Sequence, residues 1–101
     1  MENTLLLANP HVGEILKYEF LEELNIQDKD LALAIDAPQI VIENIIQGKS
    51  RITADLDLRL SRYFGLSEGY FLRLQNAYEL MEAKRILGET LNQIIPLGTR
   101  I

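Results

Sequence analysis

Residues 37–53 read APQIVIENIIQGKSRIT. Ile42, Ile45 and Ile46 recur at spacings of three and four, the pattern of a helix with one buried stripe. Gly48 follows as a C-terminal cap. The outward positions then hold Gln39, Ile40, Val41, Glu43, Asn44 and Gln47, and Lys49, Ser50 and Arg51 come directly after the glycine. Amides can read a pattern of donors and acceptors; Ile40 and Val41 can only make apolar contact.

Working outward from this rod, Asp36-Ala37-Pro38 breaks the chain before it, because proline disfavours helical geometry in the residue it follows. Upstream of the break, Asp28–Ile35 has the spacing of a second short helix, with Leu31 and Ile35 inward and Ala32 small enough for close approach. Two such helices joined by about three residues make a helix-turn-helix. Helix one is expected over Gly13–Leu24, with Leu16, Phe20 and Leu24 inward and Glu19, Glu22 and Glu23 wet. Asn9 suits its cap and Pro10 its first turn. Thr53 caps helix four, Asp55 suits its first turn, and Gly65 stops it. Ser67 is expected to cap helix five, in which Phe71, Leu74, Tyr78 and Met81 form the core stripe and which Gly88 interrupts. The reading is all-α, with five main helices. An N-terminal arm covers residues 1–10, where Leu5–Leu7 either pairs with another chain or frays. The domain covers 11–87, with the helix-turn-helix at about 28–47, and 88–101 is a tail with room for a short helix before Pro96.

The chain has 101 residues, enough for one core, and carries a net charge of −5. Residues 1–26 carry −4, residues 27–51 carry −1, and residues 52–101 balance. A nucleic-acid-binding domain ordinarily shows a basic footprint, so only a local patch, at Lys29, Lys49 and Arg51, suits phosphate. With no cysteine and a single histidine, His11, neither a disulfide nor a metal site is expected. No cofactor is implied. No nucleophile–base pair or phosphate-cradling glycine loop points to an enzyme, and the acids fall on wet faces. No run reaches membrane-spanning length, and a cytoplasmic location is expected.

Three stretches carry a resemblance. HVGEILKYEFLEELNI (11–26) resembles the opening helix of HigA-type antitoxins, also called VapI-like, in the Xre group with its lambda-repressor-like helix-turn-helix fold. QGKSRITADLDLRLSRYFG (47–65) looks like that family's segment after the recognition helix. SEGYFLRLQNAYEL (67–80) looks like its aromatic fifth helix, with Phe71 at the usual tryptophan position. The resemblance implies a five-helix domain acting as a homodimer. It would bind a cognate RNase toxin and repress its own operon through operator DNA. Departures fall at the contact positions. Asp36 replaces a turn glycine, Asp28 replaces a phosphate-facing glutamine, and Leu33, Ile40, Val41 and Glu43 replace polar or basic residues.

Two functions therefore compete. In one, Lys29, Lys49, Ser50 and Arg51 hold phosphates while Gln39, Asn44 and Gln47 read base edges. In the other, the helix-turn-helix has weak or no DNA binding and serves as a toxin-neutralising, protein-binding module through Leu33, Ile40 and Val41. The plainer alternatives are a solvated loop and helix face, with those three apolar residues in the core. Asp28 and Asp30 fit helix-dipole stabilisation better than phosphate binding, which they oppose.

Overall fold

A computed structural model of the chain describes residues 9–100. Residues 1–8, which hold most of the expected arm and the Leu5–Leu7 question, lie outside the described residues. Among the described residues the fold is all-helical, as read from the sequence. Helix α1 begins as Val12–Ile15 and continues as a π-helical stretch, Leu16–Leu21. Then come α2 (Asp28–Ile35), α3 (Gln39–Ile46), α4 (Ala54–Phe64), α5 (Tyr70–Leu87), the short α6 (Glu89–Asn92) and a 3-10 turn, Leu97–Arg100.

Leu16, Leu31, Ile42, Ile45 and Phe71 enter the core as their stripes predict, and Ile52 and Leu60 join them. All are almost wholly withdrawn from solvent, each worth about 1.5–3 kcal/mol of burial. Helix α2 packs on α3 and α4, α1 packs on α3 and α5, and α4 packs on α5. Phe20, Phe64, Tyr70 and Phe71 make a ring cluster where α1 meets α4 and α5, with centroids 4.9–6.2 Å apart.

Helix α1 departs from expectation in two ways. Its cap is His11, not Asn9: His11 Nδ1 accepts the Gly13 amide at 3.0 Å, and the Glu14 carboxylate accepts the His11 amide. The Asn9 amide instead donates to the Tyr78 carbonyl and to Glu82 on α5. The π stretch widens the turn, so Leu21 is buried alongside Phe20, which packs on the core as expected. Leu24, expected in the core, is 56% exposed.

The rims of α2 and α3 share one device. Asp36 takes left-handed geometry (φ 57) after α2, and the Ala37 and Asp36 amides return to the carbonyls of Ala32 and Leu33. Gly48 does the same after α3 (φ 76), with the Lys49 amide on Asn44 O at 2.8 Å and the Gly48 amide on Ile45 O at 3.1 Å. Both are Schellman closures. Aspartate pays a steric cost there that glycine does not. The Arg59 guanidinium, on α4, offsets it by donating from Nη1 to both Ile35 O and Asp36 O at 2.9 Å. A cation at a helix C-terminus also suits the dipole.

Helix α5 starts one turn-segment later than expected. Gly69 is the capping position, and Ser67 Oγ accepts from Arg73 instead. The amides at the α5 start are satisfied from another helix. The Asp57 carboxylate, buried on α4, accepts from Gly69, Phe71 and Leu72. That corrects the expectation that all acids lie on wet faces. Further along, Phe71 is core, Leu74 and Tyr78 are half-buried, and Met81 is 58% exposed. Among the described residues Leu80, Met81, Ile86 and Leu87 stay exposed along the second half of the helix.

Candidate nucleic-acid interface

Helix α3 is held from behind by close backbone packing against α1. Gly13 of α1 lies so close that a Cβ there would stand 1.9 Å from Ile45 O. The His11 ring rests against Gly48 and meets the Tyr78 ring edge-on at 6.1 Å. The inner face of α3 is thereby committed, and its outer face is set.

On that outer face Gln39 and Gln47 are exposed and Asn44 is partly so. Gln39 Nε2 donates to Glu43 at 2.9 Å, one turn along, which leaves its carbonyl oxygen outward. Among the described residues neither Asn44 nor Gln47 spends its side-chain amide on another protein group. Residues 39, 44 and 47 together span about two turns of one rod, with donors and acceptors in the pattern that pairs with base edges.

The Gly48 closure throws Lys49 and Ser50 outward just past the C-terminal end of α3, and both are exposed. Lys29, the second residue of α2, is also exposed, and neither lysine joins an ion pair among the described residues. Arg51 differs. Its Nε and Nη2 clasp the Glu79 carboxylate of α5 at 2.6 and 3.0 Å. That hydrogen bond, with the attraction of the cation, holds the Glu79 carboxyl below its ordinary range and raises the Arg51 guanidinium. Lys49, Ser50 and Arg51 line a shallow hollow with His11, Tyr78 and Glu79.

Three residues that position this surface had no place in the sequence reading. Gln75, buried on α5, receives the Ile52 amide at 2.6 Å and donates to Ile52 O at 3.0 Å, so it ties the segment after the loop by its main chain. Glu79 holds Arg51 one turn later, and Arg59 closes the turn between α2 and α3. The i, i+4 spacing of Gln75 and Glu79 is visible in the sequence; their partners, more than twenty residues away, are not.

The apolar candidates separate. Leu33 is 81% exposed and Ile40 58% exposed. Val41 is half-buried, packs against the core and borders a groove with Pro38 and Arg59. Among the described residues no cluster of three or more His, Cys, Asp or Glu is placed to hold a metal, and no helix is long and apolar enough to cross a membrane.

No family model matches the chain. Known proteins do. The chain is 39% identical over 89 residues to virulence-associated protein I of Dichelobacter nodosus, covering 88% of this chain and 82% of that protein. It is 33% identical over 86 residues to antitoxin HigA-1 of Vibrio cholerae, covering 85% and 81%. Its structure is similar to that of Pseudomonas aeruginosa antitoxin HigA solved with the higBA promoter. There the TM-score is 0.78 and the identity 36%, over 88% of this chain and 98% of that one.

Proposed function

The chain belongs to the HigA-type antitoxins of the Xre-like helix-turn-helix group, and from that membership we propose that it is an antitoxin-like DNA-binding regulator. It represses its own operon and neutralises a cognate RNase toxin, working as a homodimer. The observation that carries the DNA half is the outer face of α3. Gln39, Asn44 and Gln47 stand outward on a rod locked from behind, and Lys49 and Ser50 are presented at its end. The likeness to a HigA solved with promoter DNA supports the same assignment. In a dimer two such rods enter successive major grooves, about 34–36 Å apart. Lys29, Lys49, Ser50 and Arg51 contact phosphates, and the three amides read bases.

A second reading, in which protein contact dominates and DNA binding is weak, is favoured by one feature: the helix-turn-helix leaves the large apolar side chains of Leu33 and Ile40 exposed. Apolar surface of this kind suits contact with protein. Binding to the DNA upstream of its own gene, measured against salt, separates the two. DNA reading requires a linear fall of log affinity with log salt, of slope about −0.9 per phosphate neutralised. Absence of binding to that DNA at low salt, with a small basic protein co-purifying, would establish the second reading instead.

A further inference from the structure

Helix α5 grips the segment after the recognition helix at two successive turns, and the two grips differ in kind. Gln75 binds the main chain of Ile52 through both its oxygen and its nitrogen, and is buried. It fixes where the loop lies. Glu79, four residues on, binds only the side chain of Arg51. It fixes what charge the loop presents.

We propose that Glu79 sets the affinity of this chain for DNA by holding Arg51 neutralised until a phosphate takes the guanidinium from it. The inference rests on the DNA-binding reading above. Residues 27–51 contain only three cations, Lys29, Lys49 and Arg51, and the affinity of a protein for duplex DNA scales with the cations it delivers to phosphates. With Arg51 clasped side-on through Nε and Nη2, the loop meets the duplex carrying one net positive charge from Lys49 instead of two. The pair faces water, with the Arg51 and Glu79 side chains 64% and 42% exposed. An exposed pair is weak and exchangeable, and a polyanion can displace it. Because Gln75 already secures the loop, Glu79 is not needed to keep the loop in place. Its effect is on charge.

The test uses the full-length protein and a labelled duplex spanning the DNA immediately upstream of its gene, with binding followed by fluorescence anisotropy across a salt series. Glu79→Gln is expected to bind about two- to fivefold tighter than the parent across the whole salt series, with the slope unchanged. Arg51 reaches the same phosphate in both proteins, and only its release from Glu79 is removed. The variant's melting profile should stay close to the parent's, since an exposed pair contributes little to stability. Glu82→Gln makes the same change of charge one turn away, where the carboxylate pairs with Arg85, and should leave the affinity alone. In an Arg51→Ala background Glu79→Gln should have no effect. Unchanged or weaker binding by Glu79→Gln, or an equal gain from Glu82→Gln, overturns the proposal while leaving DNA binding intact. Binding by Glu79→Gln where the parent binds nothing would support it, and failure of both proteins at low salt would sink it together with the DNA-binding reading.

Discussion

Gly13→Ala tests whether the recognition helix is held from behind by direct backbone contact. The added Cβ would lie 1.9 Å from Ile45 O and 2.8 Å from both Ile45 C and His11 Cε1. Ordinary contact begins at 3.4 Å, so α1 and α3 must part by about 1.5 Å at this point. The obstacle is a main-chain carbonyl, which cannot swing aside as a side chain does. That carbonyl also accepts the Gly48 amide in the closure that presents Lys49. Overpacking a tight site typically costs about 1–3 kcal/mol, and a backbone obstacle puts this one at the upper end, about 3 kcal/mol. For a domain of this size that lowers the melting temperature by roughly 12–24 °C, read by circular dichroism. DNA affinity should fall at temperatures where the variant is still folded, because the loop shifts with the carbonyl. Gly98→Ala, which meets nothing within 4 Å, is the control and should melt with the parent. A Gly13→Ala variant that also melts with the parent would refute the close-approach reasoning.

Asp57→Ala strips three amides at the start of α5 of their acceptor and is expected to cost about 2–4 kcal/mol in urea unfolding. Lys49→Ala should weaken binding to all duplexes alike and make the salt slope shallower by about 0.9. Asn44→Ala should relax preference at one base position, by about 1–3 kcal/mol, in a panel of single-substitution duplexes. Because Arg51 depresses the Glu79 carboxyl, their mutual stabilisation is present above the ordinary carboxylate range and disappears as pH falls through the depressed value. In an NMR titration of the side-chain carboxyl, Arg51→Ala should move the Glu79 midpoint upward.

Legibility in the sequence followed the range of the interaction. Asp28–Ile35 matches its expected bounds, and Thr53 and Gly65 bracket α4 as expected, because caps and breakers act within a few residues. Leu24 misses the core because α1 widens its period at Leu16 and ends at Leu21, which leaves Leu24 in the turn beyond the helix. Ser67 looked like the cap of α5, and no local pattern reveals that Asp57, fourteen residues before Phe71, does that work from a different helix. Gln75 and Glu79 read as ordinary polar positions until the chain folds Ile52 and Arg51 against them. Met81 continues a regular stripe, yet it stays exposed. The outward set Gln39, Asn44 and Gln47 was legible because the buried stripe of α3 leaves those positions no other direction. Val41 sits at the edge of that stripe, where a small rotation decides its side.

The widened turn in α1 also bears on how this chain can change length. Removing one solvent-facing residue inside it, Glu19 for instance, would contract the π stretch to ordinary α spacing. Leu21 would then fall four positions after Leu16, with Phe20 beside it, and both would still point inward. The same excision within Asp28–Ile35 would rotate Ile35 out of the core. An insertion or deletion relative to a shorter relative can thus be absorbed within a helix here, where a gap would ordinarily be assigned to the adjoining loop.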